Sequence, residues 1–167
     1  MDAQFTSINP EELRRAMRHW PTGVAVASSL DGETRHGMTV NSFASVSLDP
    51  PLISVAMAKI TQTFQMTRRS GVFGITILNQ DQKEISDRFA GRDSEHQDRF
   101  AGLETFTLAT GVSFLVGGLA FLDCQVAEMV DVGVNTVVIG RVVASSNQEH
   151  PGEPLLYFNR SYHQMGR

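Results

Sequence analysis

The run AVASSLDGETRHGMTV sets Asp31-Gly32 between two strand-like segments, TGVAVASSL and ETRHGMTV. An Asp-Gly pair supplies the positive backbone torsions of a tight hairpin turn, so the chain must fold back on itself here as two antiparallel strands. Further segments rich in branched and aromatic residues follow: LISVAMA, GVFGITIL, then GLAFLDCQVAEMV and NTVVIGRVVASS joined through Asp131 to Gly133, and a closing PLLYF. About six or seven strands are expected, with short helices between some of them. That pattern is mainly β with short helices, and a β-barrel with helical decoration is the architecture it fits.

The helices announce themselves by their caps. In NPEELRRAMRHW, Asn9 is placed as N-cap, Pro10 as the first helical residue and Glu12 three residues after the cap, the arrangement of a capping box. Leu13, Met17 and Trp20 recur at helical spacing and are expected to pack down, leaving Arg14, Arg15 and Arg18 in solvent. TQTFQMTRR reads as a second short helix. NQDQKEISDRFAG reads as a third, with Asn79 as cap, Gln82 at the third position, Ile85 and Phe89 on one face and Gly91 as terminator. The polar stretch Arg92 to Thr105 is open between a connection and a further helical turn.

Size and charge narrow the function. A chain of 167 residues is expected to form one domain, residues 1–167, around one core without disulfides. Its net charge of -4 gives no electrostatic reason to bind nucleic acid or an anionic membrane surface. The single cysteine, Cys124, lies in an apolar stretch and reads as a small buried hydrophobe in a reducing compartment. The N-terminal MDAQFTSINPEE has no basic region followed by an apolar one, and FLVGGLAFL is stopped by Asp123 short of a membrane span. A cytoplasmic protein is the expectation. No GxGxxG, P-loop, GxSxG or HExxH pattern occurs, and the five histidines stand singly, so no metal site is expected.

One stretch is out of keeping with its flanks. GMTVNSFASVSLDPPL, between two buried-strand segments, carries Thr39, Asn41, Ser42, Ser45 and Ser47, with Gly37 and Ala44 leaving the backbone accessible. Such alternating donors and acceptors suit the polar edge of an isoalloxazine ring, whose faces tolerate apolar neighbours such as Phe43 and Val46. Downstream, Lys59, Thr61, Gln62 and Thr63 stand at a helix start, where free N–H groups and a cation can hold a phosphate. Taken alone, the same residues read more simply as a polar loop and an ordinary helix cap.

The segments PTGVAVASS, HGMTVNSFASVSLDPPLISVAMAK, SGVFGITILNQDQKEISDRFAG, VVIGRVV and PLLYFNRSYHQMG, in that order and over nearly the whole chain, resemble the short-chain flavin reductase family. The resemblance implies an FMN-binding split β-barrel, typically a homodimer. The implied activity is an NAD(P)H:flavin oxidoreductase that uses NADH or NADPH to reduce FAD or FMN and supplies reduced flavin to a partner monooxygenase. Carried over by position, Met38, Thr39, Val40, Asn41 and Ser42, with Ala44, Ser45, Val46 and Ser47, would line the ring and ribityl chain. Ala58, Lys59 and Thr63 would lie near the phosphate, and Arg88 and Phe89 belong to a segment that approaches the flavin.

The chain departs from the family at one position. Members commonly carry Gly-Asp-His ahead of the IGRV-like strand, a histidine associated with the nicotinamide, where this chain reads GVNT with Asn135. Asparagine hydrogen-bonds an amide but takes up no proton near neutral pH. Hydride transfer depends on alignment and needs no catalytic residue of the protein. Asn135, with Tyr157 and His163, is therefore the nicotinamide-side candidate set. Two other readings stand beside the reductase: a flavin-binding module, and an oxidoreductase that keeps its flavin and reduces another acceptor.

Overall fold

The computed structural model describes residues 8–92, 98–149 and 152–165. In chain order the elements begin with helix α1 (Pro10–Met17) and strands β1 (Thr22–Gly23), β2 (Ala25–Asp31), β3 (Thr34–Val40), β4 (Phe43–Leu48) and β5 (Pro51–Ala58). Helix α2 (Gln62–Ser70), β6 (Val72–Ile77), α3 (Lys83–Phe89), β7 (Thr105–Thr107) and β8 (Ser113–Leu115) follow. The chain closes with a long pair, β9 (Ala120–Val132) and β10 (Asn135–Asn147), then β11 (Leu156–Phe158) and β12 (Ser161–His163).

Seven strands form one antiparallel sheet in the order β3-β2-β6-β9-β10-β5-β4. Its two edge strands, β3 and β4, are consecutive in sequence and separated only by Asn41 and Ser42. Three Cα steps of about 3.8 Å hold Val40 and Phe43 within ~11 Å of each other. The sheet therefore curls until its edges meet, yet the edges are not hydrogen-bonded to each other. This is a barrel split along one seam, as expected for the fold, and Asn41 and Ser42 sit at the seam.

The expected hairpin is present, shifted by one residue: Asp31 stays in β2 opposite Thr34, so Gly32, at φ +59°, and Glu33 make the turn, and β2 pairs with β3 as far as Ala25↔Val40. The β9–β10 hairpin turns at Gly133, φ +58°, and two register shifts bend it around the barrel. Strand β2 is buried on both faces. Ala25 and Ala27 join Val40, Val55, Met57, Phe73, Ile75, Cys124 and Val138 inside the barrel, while Val24 and Val26 meet Leu78, Phe89, Phe100, Leu115 and Leu155 outside it, under α3. Burial raises the Cys124 thiol to about 12, so it stays protonated and inert, in keeping with its reading as a small hydrophobe.

Several expectations are corrected. The stretch read as a loop or turn is mostly strand, because Phe43–Leu48 pairs with β5, and the small sheets β1-β11-β12 and β7-β8 exceed the strand count read from sequence. Helix α1 is capped by Asn9, whose side chain accepts from the Glu11 N–H at 2.9 Å, but buries none of its residues; Leu13, Met17 and Trp20 are exposed. Its spacing is helical, yet that face is left open: Met17 and Trp20 border a cavity of about 340 Å³ shared with Tyr157 and Phe158. Asn79 and Gln82 make the reciprocal bonds of a capping box, at 2.7 Å to the Asp81 N–H and 3.1 Å from the Asn79 N–H, around a turn that precedes α3, which starts at Lys83. Gly37, expected to expose backbone, is packed instead: a Cβ there would lie 2.7 Å from the Phe89 ring.

Candidate functional site

Strand β5 alternates, with Ile53, Val55 and Met57 inward and Ala56 and Ala58 on the other face. At the seam this face meets the end of β3, the start of α2 and the first residue of β10. Met38, Thr39, Val40, Asn41, Ser42, Ala56, Ala58, Thr61 and Asn135 together line a cavity of about 380 Å³. Six of those nine are residues the sequence assigned to the flavin, and Asn135 is the one assigned to the nicotinamide; Ala56 and Thr61 complete the wall. Ala56 was legible in the alternation of LISVAMA, since it shares a face with Ala58.

On the other side of Asn41 lies a second cavity of about 430 Å³, walled by residues 20–25, Val40, Phe43, Ala44 and Ile77. Here Gly23 faces open space, and the Thr22 hydroxyl is buried with no partner among the described residues. Asn41 also borders a small space of about 130 Å³ with Thr39, Arg92, Tyr157 and Tyr162. The exposed Asn41 residue thus borders all three spaces.

Two of the hydroxyls expected to face a ring are occupied in holding the walls. Thr39 donates to the Ser86 carbonyl at 2.6 Å and Ser42 to the Ala56 carbonyl at 2.8 Å. Thr61 donates to the Ala58 carbonyl at 2.8 Å and caps α2 by accepting from the Phe64 N–H. Among the described residues, the free polar groups of the cleft are therefore the Asn41 and Asn135 side chains and the backbone of Asn41 and Ser42, which follow the last β2–β3 pair.

The remaining candidates divide. Lys59 stands just ahead of α2, its ammonium 3.1 Å from Asp131, whose carboxyl is held below its usual range by the Thr136 hydroxyl first and by Lys59 second. Thr63 is fully buried, its hydroxyl 2.8 Å from His36 Nδ1. Burial, with the nearby Arg99 charge, lowers His36 to about 4, so the ring is neutral at pH 7. Ser45, Val46 and Ser47 lie along β4, where a bulge skips Val46 out of the β5 register. Phe89 is a core residue stacked edge-on against Phe100. The Arg88 guanidinium is turned to the carbonyls of Asp98 and Ala101, at 3.2 and 2.6 Å. Tyr157 borders the small space beside Asn41, and the exposed His163 lies near the Phe158 carbonyl, 3.2 Å away. Among the described residues, no three His, Cys, Asp or Glu side chains gather as a metal site.

The model of the flavin reductase like domain matches residues 17–166, nearly the whole chain beyond α1. The chain belongs to this flavin reductase-like family. It is 37% identical over 154 residues to an NADH-dependent flavin reductase, StyB, of Pseudomonas fluorescens, covering 90% of this chain and 87% of that protein. It is 35% identical over 151 residues to the actinorhodin polyketide dimerase of Streptomyces coelicolor, covering 90% and 83%. The solved styrene monooxygenase flavin reductase of Pseudomonas putida S12 superposes with a TM-score of 0.83 at 34% identity, over 93% of this chain and 98% of that one.

The cleft fits the group that family membership implies. Each of the two larger cavities that Asn41 borders falls in the volume range of small-ligand sites. The glycine wall at Gly23 leaves room where any side chain would intrude, and the unpartnered Thr22 hydroxyl belongs to that wall.

Proposed function

We propose that the chain is an NADH-dependent flavin reductase, accepting NADPH as the second choice of donor, that reduces FAD or FMN and supplies the product to a flavin-dependent monooxygenase component. The observation that carries this reading is the meeting of Met38–Ser42, Ala56 and Ala58 with Asn135 around one cleft at the barrel seam. The flavin, when bound, would supply the electron chemistry.

The protein's own work is alignment. The Asn41 amide, both donor and acceptor, suits the pyrimidine edge, with the Asn41–Ser42 backbone beside it. Met38 and Val40 give the apolar wall. The N-terminus of α2 and Lys59 face the end where a phosphate would lie, although Asp131 takes part of the Lys59 charge. Asn135, across the cleft, is placed to hold a nicotinamide carboxamide, and productive transfer needs the reacting atoms roughly 3–3.5 Å apart. No protein acid or base is required.

Steady-state oxidation of NADH and NADPH by flavin-stripped protein, with FAD, FMN or riboflavin added in turn, tests the reading. Turnover that depends on added flavin supports it and ranks the substrates. Saturable flavin binding without turnover overturns it in favour of a binding module. A second reading, an oxidoreductase that passes electrons to another acceptor, is favoured by the relative named for polyketide dimerisation rather than flavin reduction.

Homodimerisation belongs to this proposal. Strand β4 is an edge strand with Ala44, Ser45 and Val46 all exposed, and Leu48 is 90% exposed at its end. Around the β9–β10 turn, Ile60 and Val134 are 94% and 79% exposed. Apolar surface of this kind on both sides of the cleft suits a second copy of the chain. We further read residues 1–167 as one domain and the protein as cytoplasmic; no helix among the described residues is long and apolar enough to cross a membrane.

A further inference from the structure

Thr39 is held from behind. Its hydroxyl donates to the backbone carbonyl of Ser86, in the middle of α3, while Ser86 itself is fully buried. The Ser86 hydroxyl lies 2.8 Å from the Tyr162 hydroxyl, which donates to Asp87 Oδ1 at 3.1 Å. A phenol has one proton to give, so with that proton on Asp87 it is Ser86 that donates to Tyr162. Asp87 also receives Arg92 at 2.7 Å. Burial and the Asp87 carboxylate raise the phenol, while the Ser86 hydroxyl opposes them, so Tyr162 is neutral and remains a donor at neutral pH.

Tyr162 belongs to the short hairpin β11–β12, whose strands are three residues each. Its ring stacks edge-on against Tyr157, 5.5 Å between centroids, and Tyr157 borders the same small space as Thr39 and Asn41. The C-terminal hairpin is thus fastened to α3 by one hydroxyl, and α3 is fastened to the cleft wall by another.

We propose that Tyr162 is a positioning residue for flavin binding, acting through Ser86 on Thr39 and so on the Met38–Ser42 wall of the cleft. The proposal rests on the reading of that cleft as the flavin site. The Tyr162 ring borders the small space beside Asn41, while its hydroxyl bonds Ser86 and Asp87, so loss of the hydroxyl alone acts on flavin affinity through Thr39. Removing its hydroxyl strands the buried Ser86 hydroxyl without an acceptor and frees the turn of α3 on which Thr39 is anchored.

The test is a double-mutant cycle of Tyr162→Phe and Thr39→Val in the full chain, read by FMN fluorescence titration and by steady-state kinetics. Tyr162→Phe is expected to weaken FMN binding about three- to tenfold, the effect of one hydrogen bond, with KM for NADH unchanged. The double variant should be little worse than the weaker single, because both cut one chain of contacts. A variant of the remote buried residue Asp123, Asp123→Asn, serves as the control for stability and should leave FMN affinity intact. If wild type binds FMN and Tyr162→Phe binds it equally well, or if the two effects add in full, the positioning role is overturned. If wild type binds no FMN, the assignment of the cleft falls, and this inference with it.

Discussion

Gly37 lies flat against the ring of Phe89: a Cβ on it would fall 2.7 Å from Cε1 and 3.2 Å from the ring of Phe100. Neither ring has room to retreat, since both are fully buried and stacked 4.8 Å apart. Gly37→Ala is therefore expected to destabilise the protein by about 1–3 kcal/mol through overpacking. Urea unfolding checks this, and an unchanged midpoint would mean that β3 and α3 are not closely coupled.

Gly23 makes the opposite prediction. It walls the larger cavity, and a Cβ there meets nothing within 4 Å. Gly23→Leu should leave the thermal midpoint within a few degrees while raising KM for flavin tenfold or more, because the side chain occupies space the ligand needs. Normal flavin kinetics in a folded variant would remove this cavity from the site.

Asp123 is fully buried and accepts from the Thr110 N–H at 2.8 Å and the Thr110 hydroxyl at 2.5 Å, fastening the loop before β8 to β9. Asp123→Ala would orphan both donors and is expected to cost about 2–4 kcal/mol, allowing for a charged acceptor and two donors. Thermal unfolding measures the loss. At a temperature where the variant is folded, flavin KM should match wild type.

His36 predicts a pH dependence. Its folded-state value, about 4, is below the ordinary value of about 6.5, so the unfolded chain binds the extra proton between those limits. Stability contributed by the neutral ring is full above pH ~6.5 and lost progressively toward pH ~4. The ring is partly open to solvent, which limits the effect. His36→Gln should flatten this part of the stability profile measured by urea unfolding; an unaltered slope would assign the acid sensitivity elsewhere.

Asn135 is tested by Asn135→His, restoring the residue common in the family. KM for NADH is expected to fall severalfold with kcat little changed, as for a group that binds ground and transition states alike. An unchanged KM for NADH would show that this position does not tune the nicotinamide.

Much of the barrel was readable from local rules, because turn chemistry and strand composition act on neighbours: both hairpins turn on the glycine of the expected stretch, Gly32 and Gly133, with Asp31, Asp131 and Val132 left in the strands. What was not readable depends on distant partners. Helix α1 has a regular apolar spacing, and nothing within the spacing says that its face is left exposed. Gly37 looked like accessible backbone until Phe89, fifty-two positions on, was brought against it. The site shows the same division. Residues 38–42, Ala58 and Asn135 were legible as a set, but the tasks of Thr39 and Ser42 as struts, and the Tyr162–Ser86 contact, arise only when three separate elements meet.

The placement of the flavin at the barrel seam rests on Asn41. Equilibrium titration of FMN fluorescence with wild type and Asn41→Ala tests it directly. An affinity about five- to tenfold lower is expected in the variant, the loss of the hydrogen bonds of an exposed amide to the ring, at an unchanged thermal midpoint. Equal affinity in the two proteins would contradict the placement of the flavin in this cleft.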